Sequence, residues 1–180
     1  DTMWRMEEAE AAYRRALNTL KPGDDDTKLI IYTNLAAMHL QMGKFKEAQG
    51  FSEKALKIKP DHLKSRHNLG LSLLASGQWK EGWKQYEASV GSPQRVAFKY
   101  GDEPTWEGET GGTVVVFGEQ GIGDEICAAS MIPDAINRAS KLIIDCDARL
   151  QGIFARSFPQ AKVYGTRNSK VLNWPEEDHK

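Results

Sequence analysis

The sequence predicts a solenoid of α-helical hairpins followed by part of an α/β domain with a parallel sheet. The first observation behind this fold class is an internal repeat: residues 34–56 superpose on residues 68–90 when the chain is shifted against itself by 34 positions. The second is a change of period after residue 112, where short β-branched runs alternate with helical segments. We therefore expect helical repeats over residues 1–90, a connector over 91–112 and an α/β part over 113–180.

The composition is that of an ordinary globular chain and excludes several classes of protein. Hydrophobic residues make up 40% and charged residues 27% of the 180 positions, so the chain can bury a core. The 24 basic residues nearly balance the 25 acidic ones, and the net charge of -1 gives no reason to expect nucleic acid or an anionic membrane as partner. No apolar run approaches the ~18 residues of a membrane span. The two cysteines favour a reduced, cytoplasmic protein without a disulfide framework, and no metal site is predicted.

The two repeat copies match at positions that have a structural meaning. An Asn-Leu pair lies on the first helix of each hairpin, a glycine ends that helix, and an aromatic residue opens the second helix. Small residues recur where the paired helices must approach closely. The recurring pairs are Asn34/Asn68, Leu35/Leu69, Ala36/Gly70, Gly43/Gly77, Phe45/Trp79, Ala48/Gly82 and Ala55/Ser89.

An incomplete copy precedes the other two. Residues 7–22 carry the second-helix pattern, with Ala9, Tyr13 and Ala16 at spacings of four and three, and no first helix stands before them. Ala16 and its equivalent Ala55 lie 39 positions apart because a polar loop is inserted between these copies. The expected helices span about residues 4–20, 27–42, 45–58, 62–76 and 79–90.

This pattern resembles the tetratricopeptide repeat, in which small and large residues over 34 positions build stacked antiparallel helix pairs. His39 and Ser52 depart from it, since they stand where the family favours large aromatic side chains. The resemblance implies that the first helices line a concave groove for peptides or partner proteins. A scaffold or a dimerisation surface, which would make a homo-oligomer, is the alternative. The expected groove residues are Ile30, Thr33, Ala37, Leu40, Gln41, Lys64, His67, Leu71, Leu74 and Ala75.

The second half follows the strand, turn and helix order of a partial Rossmann-like sheet. Residues 113–119 suit a buried parallel strand, and residues 120–139 open with glycines and continue as a helix. Pro133 is expected to kink that helix or to divide it in two. A second strand, a second helix and a third strand are expected over residues 141–148, 149–158 and 161–165.

The candidate chemistry lies in the glycine turn after the first strand. A strand that runs into a helix N-terminus presents free N–H groups, which suit a phosphate or a carboxylate. Asp145 lies 24 residues after Gly121, near the distance of the ribose-binding acid in a dinucleotide fingerprint. Against NAD, Ile126 replaces the third glycine and the Asp124 carboxylate would repel a pyrophosphate. The expected phosphate or nucleotide loop comprises Gly118, Glu119, Gln120, Gly121 and Gly123.

The same turn is similar to the N-terminal lobe of GT-B glycosyltransferases of the heptosyltransferase type. Residues 104–126, together with residues 81–87, look like the junction in bacterial proteins that fuse tetratricopeptide repeats to such a domain. The resemblance implies a nucleotide-sugar donor, no cofactor, and Asp124 as the general base toward an acceptor hydroxyl. Two alternatives stay open: Glu119 as the base, and Asp124 with Glu125 as acids that stabilise the start of a helix.

The chain is expected to be a fragment of a longer protein. After Gly112 only 68 residues follow, too few for the two lobes of a GT-B enzyme, so the chain alone is expected to be inactive. We expect Cys127 to be a small buried residue on the sheet, and Val171, Leu172 and Trp174 to pack across it. The expected function is a protein-interaction repeat module joined to part of a glycosyltransferase-like domain. The alternative is a non-catalytic scaffold with a degenerate α/β appendage.

Overall fold

The computed structural model describes residues 2–92, 104–167, 169 and 174–178. The chain divides into two compact units, Asp1–Ala97 and Phe98–Lys180, which we call the helical unit and the α/β unit. Half of the expected connector, residues 93–103, and the expected sheet-packing residues Val171 and Leu172 lie outside the described residues.

The helical unit consists of hairpins, as the repeat predicts. Helices α2 and α3 pack as one pair and α4 and α5 as the next, and α2 also packs against α4. Gly43 and Gly77 end the first helix of each pair with φ of 70° and 76°, a left-handed conformation that only glycine adopts at low cost. The helices are α1 (Thr2–Thr19), α2 (Asp25–Gln41), α3 (Phe45–Ile58), α4 (Leu63–Ala75) and α5 (Trp79–Glu87).

The recurring small residues lie at close helix approaches. A Cβ added to Gly70 would lie 2.7 Å from the backbone nitrogen of Tyr86, and one added to Gly82 would lie 2.9 Å from that of Leu74. Helices α4 and α5 therefore touch backbone to backbone. The small residues at the equivalent positions of α2 and α3 are fully buried, namely Ala36, Ala48 and Ala55. Ser89, the equivalent of Ala55 after the end of α5, is fully buried as well.

The two departures from the repeat pattern still fill the core. His39 is 2% exposed and its ring lies 5.2 Å from that of Phe51, so an aromatic side chain of another kind occupies the expected place. The imidazole Nε2 lies 3.5 Å from the Glu10 carboxylate on α1. Ser52 is fully buried.

The α/β unit holds a three-stranded parallel sheet in the order β1, β2, β3. The segment expected to be helical over residues 120–139 is divided in two just before Pro133, as one of the two expectations for that proline has it, and a 3-10 turn at Ala129–Met131 separates the two short helices. Pro133 lies in the first turn of the second helix, where backbone N–H groups have no partner within the helix. The missing N–H of proline therefore costs no hydrogen bond there. The elements are β1 (Thr113–Phe117), α6 (Ile122–Ala128), α7 (Ile132–Arg138), β2 (Lys141–Asp145), α8 (Gln151–Ser157) and β3 (Lys162–Tyr164).

Both faces of this sheet are covered. Val114, Leu142 and Ile144 pack with residues of α7 and α8 in one apolar core. On the other face Trp174 stacks on Tyr164 with ring centroids 4.9 Å apart, which confirms that this tryptophan packs across the sheet. The carboxylate of Asp178 accepts hydrogen bonds on that face from Lys162, at 3.0 Å, and from the Tyr164 hydroxyl.

Candidate functional site

The expected groove residues of α2 and α4 divide into surface and buried positions. Ile30 and Leu71 are large apolar side chains that are 60% and 37% exposed. Gln41 and Ala75 are exposed, and four more expected residues are half-buried: Ala37, Leu40, Lys64 and Leu74. The first helices therefore offer a surface that is mostly apolar.

Two of the expected groove residues join helices instead of lining a surface. Thr33 is 2% exposed, and its hydroxyl donates to the Leu29 carbonyl at 2.7 Å and lies 2.9 Å from the Ser65 hydroxyl of α4. His67 is 9% exposed and packs its ring 5.5 Å from that of Tyr86 on α5. The expectation that these two side chains line the groove is wrong, because the α2–α4 and α4–α5 contacts cover them.

The repeated asparagine connects the first helix of a hairpin to the preceding repeat. The Asn68 side-chain amide donates to the Thr33 carbonyl of α2 at 3.0 Å. Its equivalent Asn34 donates to the Tyr13 hydroxyl at 3.4 Å, a longer contact with α1. Asn68 is 5% exposed, so this position connects neighbouring repeats.

In the glycine turn the need for glycine differs from the expectation. Gly121 has φ of -74° and ψ of 163°, an extended conformation open to any residue, and a Cβ on Gly123 would meet nothing within 4 Å. Gly118 is the constrained position, because a Cβ there would lie 2.3 Å from Cδ of Glu125. Neither Gly121 nor Gly123 is therefore held to glycine by a left-handed backbone conformation, and the glycine that the packing requires follows the end of β1.

Asp124 caps the short helix α6. Its Oδ2 accepts a hydrogen bond from the Gly121 N–H at 3.0 Å, which is the one half of a capping box that is possible here, since the N-cap residue Gly121 has no side chain. The structure thus shows the helix-stabilising role that the sequence analysis left open for this acid. Glu119 is exposed at the end of β1, and Gln120 accepts a hydrogen bond from Arg167 with its backbone carbonyl.

Glu125 turns inward and becomes the centre of a charged cluster at the carboxyl ends of the strands. Its side chain is 4% exposed, and Oε2 accepts from the Asp147 N–H at 2.9 Å. Oε1 lies 3.0 Å from Nε of Arg167 as an ion pair whose alignment is not that of a hydrogen bond. Arg167 also lies 3.6 Å from the Asp147 carboxylate. Glu125 does lie in the first turn of α6, as the alternative of a helix-start acid has it, and its carboxylate is also held by the partners of this cluster.

Sequence reasoning missed Asp147, Arg149 and Arg167 as members of this cluster. The guanidinium of Arg149 donates to both Asp147 oxygens, at 2.8 and 3.0 Å. These hydrogen bonds hold the pKa of the Asp147 carboxyl well below its usual range. The pair follows β2 directly, so a polar run after a predicted parallel strand was the available signal.

Asp145 is already engaged within the fold. The residue is fully buried, and Oδ1 accepts hydrogen bonds from the Thr166 N–H at 2.7 Å and the Thr166 hydroxyl at 2.9 Å. These bonds tie β2 to the segment that follows β3. A ribose would have to displace them, which counts against the dinucleotide interpretation.

A cavity of about 570 Å³ lies between β1, α6, α7 and the segment around Trp106. Its lining is mainly apolar, with Val116, Met131 and Phe154 among the residues. Arg138 also lines it, with one guanidinium nitrogen bound to the Gly108 carbonyl at 2.7 Å. Such a lining suits an apolar group better than a diphosphate.

The two cysteines differ in environment. Cys127 is exposed, so the expectation of a buried residue packed on the sheet is wrong. Cys146 is buried, and burial together with the carboxylates of Glu125, Asp145 and Asp147 raises its pKa to about 11.

Within the described ranges no three His, Cys, Asp or Glu side chains are grouped as metal ligands. No helix of the described part has the length and apolar character of a membrane span.

Known proteins are similar in sequence to parts of this chain. Protein FlbA of Caulobacter vibrioides is 29% identical over 145 residues, which are 76% of this chain and 24% of that protein. The peptidyl-prolyl cis-trans isomerase PASTICCINO1 of Arabidopsis thaliana is 26% identical over 96 residues, 48% of this chain and 15% of that protein. The chain therefore spans a quarter or less of either relative. No solved structure matches it significantly. The tetratricopeptide repeat model matches residues 5–61, which include most of α1 and all of α2 and α3.

Proposed function

We propose that the helical unit is a protein-interaction module whose first helices bind an extended segment of a partner protein. The observation that carries this proposal is the pair of exposed apolar side chains on α2 and α4. Leu71 is the repeat equivalent of Ala37, which follows Ile30 by seven residues, and residues seven apart share one face of a helix. Ile30 and Leu71 therefore stand on the same face of two packed helices.

The chemistry of this surface defines its ligand. Half-buried Ala37 extends the apolar area, whereas the Leu74 side chain packs against Gly82 of α5. Lys64 is the one charged residue among the expected groove positions. Exposed apolar side chains rimmed by polar ones mark protein-binding surfaces. We therefore expect a peptide with two or more apolar anchors rather than an acidic or phosphorylated motif.

A charge placed on the concave face tests this function. A peptide selected from a phage-displayed random library against the full chain would be titrated by fluorescence anisotropy. The Ile30→Glu and Leu71→Glu double variant should weaken its binding by about tenfold or more, since a buried anchor is worth over ~1 kcal/mol. Ile153→Glu, the same change at a 49% exposed isoleucine of the α/β unit, is the matched control.

Two results would count against the peptide groove. One is equal binding by the double variant and the control. The other is a concentration-dependent dimer of the wild-type chain that the double variant abolishes without any change in peptide affinity, because this surface would then be a dimerisation surface.

We further propose that the α/β unit is the N-terminal part of the acceptor lobe of a nucleotide-sugar glycosyltransferase. Three parallel strands with a glycine turn after β1 place polar groups at their carboxyl ends, where α/β folds bind ligands. The similarity to FlbA covers 76% of this chain, which is more than the helical unit of Asp1–Ala97, so it extends into the α/β unit. Because Oδ2 of Asp124 accepts from the Gly121 N–H, Oδ1 would be the oxygen that serves as the base.

Asp124→Asn separates the catalytic role from the capping role. The asparagine oxygen can still accept from the Gly121 N–H, so helix α6 should persist while the base is lost. In the full-length protein, turnover of radiolabelled UDP- and ADP-sugars should fall by about 10²–10⁴-fold. Glu119→Gln tests the alternative base, because turnover that falls in this variant and not in Asp124→Asn would assign the role to Glu119. Equal turnover by Asp124→Asn and the wild-type protein would contradict the proposal that Asp124 is the general base.

A further inference from the structure

One peptide group, between Gln120 and Gly121, connects Arg167 to the carboxylate of Asp124. The Arg167 guanidinium donates to the Gln120 carbonyl, and the Gly121 N–H donates to Oδ2 of Asp124 at 3.0 Å. We propose that Arg167 is a positioning residue, which holds this peptide group and thereby fixes the Asp124 carboxylate as the general base. The inference rests on the glycosyltransferase function proposed above and extends it to a residue 47 positions beyond Gln120.

The planarity of the peptide group transmits orientation from Arg167 to Asp124. The carbonyl and the N–H of one trans peptide group lie in one plane and point in opposite directions. A donor that fixes the direction of the Gln120 carbonyl therefore also fixes the direction of the Gly121 N–H. Hydrogen bonds in series polarise one another, so the guanidinium charge also strengthens the Gly121 N–H as a donor to Asp124.

The glycine at position 121 makes such a fixed contact necessary. Gly121 has φ of -74° here, but a glycine adopts positive φ about as readily as negative φ. Rotation of the peptide group would turn the Gly121 N–H away from Asp124 at low cost, and the carboxylate would then lose the hydrogen bond that orients it. The bond from Arg167 to the Gln120 carbonyl opposes this rotation.

Arg167 is itself held in place by the charged cluster. Its side chain is 12% exposed, and Nε lies 3.0 Å from Oε1 of Glu125. A second guanidinium nitrogen lies 3.6 Å from the Asp147 carboxylate at the end of β2. Arg167 therefore contacts the turn on both sides of Asp124, at Gln120 before it and at Glu125 after it.

The proposed reaction depends on where the base stands. Oδ1 of Asp124 would take the proton of the acceptor hydroxyl while the acceptor oxygen bonds to the anomeric carbon. The nucleoside diphosphate would leave with the electron pair of the broken bond. A base acts only within hydrogen-bond reach of its proton, and a displacement of about 1 Å can cost on the order of 10²-fold in rate. Arg167 should therefore affect the chemical step more than donor binding.

Amide hydrogen exchange in the full chain tests whether Arg167 holds the turn. Arg167→Lys keeps a positive charge opposite Glu125 but replaces the planar fork with a single ammonium. Amides of residues 121–125 should exchange about fivefold faster or more, as expected for one lost hydrogen bond, while the amides of β1 and β2 keep their rates. Arg149→Lys is the matched control, because its guanidinium pairs with Asp147 in the same cluster, and it should exchange as wild type.

A double variant keeps this test valid if Arg167→Lys folds poorly. Arg167→Met combined with Glu125→Gln removes both charges of the pair together, and the amide oxygen at position 125 can still accept from the Asp147 N–H. The same local acceleration is expected. Unchanged exchange at residues 121–125, or equal acceleration across β1 and β2, would overturn the proposal, because a merely structural role would loosen the whole sheet.

Kinetics of the full-length protein then test the link to Asp124. Arg167→Lys should lower kcat with the nucleotide sugars by about 10–100-fold and leave the KM of the donor nearly unchanged. Adding Arg167→Lys to Asp124→Asn should cause no further loss, because one residue acts through the other. Additive losses would overturn the inference. A loss in Asp124→Asn without one in Arg167→Lys would overturn this inference alone, whereas full turnover in Asp124→Asn would contradict the base role itself.

Discussion

Gly70→Val is expected to lower the free energy of unfolding of the helical unit by about 3 kcal/mol, the upper end of the usual cost of overpacking. The added Cβ would lie 2.7 Å from the backbone nitrogen and 2.9 Å from Cα of Tyr86. A side chain could rotate away, but the backbone of α5 can yield only if the whole helix shifts. That shift would also disturb the contact of His67 with Tyr86 and loosen the α4–α5 pair.

Gly50→Val is the matched control, since Gly50 lies inside α3 and a Cβ there would meet nothing within 4 Å. Its effect should stay within about 0.5 kcal/mol, as for other surface substitutions. Urea unfolding gives the free energies, and hydrogen exchange of the α4 and α5 amides assigns the loss to the helical unit. Similar losses in both variants would show that the close approach of α4 and α5 does not limit position 70.

The helical unit could be predicted from the sequence because its constraints are local and recur. A glycine at 43 and 77 and small residues at 36, 48, 70 and 82 mark helix ends and helix contacts in a pattern that repeats every 34 residues. The burial of individual side chains on a helix face could not be predicted in the same way. Thr33 and His67 lie on the expected helices, but contacts with Ser65 and Tyr86 bury them.

The charged cluster of the α/β unit could not be predicted, because its partners come from distant parts of the chain. An acid at the start of a helix usually faces water, and nothing local to Glu125 indicates that it turns beneath Gly118. Glu125 turns inward because it accepts a hydrogen bond from the Asp147 N–H and forms an ion pair with Arg167. These two residues lie 22 and 42 positions further along the chain. Only the fold brings them together. Gly118 is the one local sign, since it leaves room for that carboxylate.

Asp178→Asn is expected to destabilise the α/β unit at neutral pH. The side chain of Asp178 is fully buried, and its carboxylate forms ion pairs with Lys141 and Lys162 and accepts a hydrogen bond from Tyr164. A neutral amide would leave two ammonium groups without their counterion, and removing one partner of a buried ion pair is strongly destabilising. Glu177→Gln is the matched control, because that exposed acid lies 3.7 Å from Lys162 and surface pairs contribute little.

The pH dependence of the same network gives the sharper test. Burial raises the pKa of Asp178, but hydrogen bonds from Lys141, Tyr164 and Lys162 outweigh it and hold that pKa below its usual range. The unfolded carboxyl titrates near ~3.9, so this stabilisation is present above about pH 4 and is lost as the pH falls further.

Tyr164 has the opposite sign, since burial and the nearby Asp178 raise its pKa to about 12. Its contribution is fully present below about pH 10, where an unfolded tyrosine is still protonated, and is lost as the pH rises from there through the folded pKa of about 12. Thermal unfolding across a pH series should therefore lose its acid decline in Asp178→Asn and its alkaline decline in Tyr164→Phe. An unchanged acid decline in Asp178→Asn would assign the acid sensitivity to other carboxylates, of which Asp147, held by Arg149, is the next candidate.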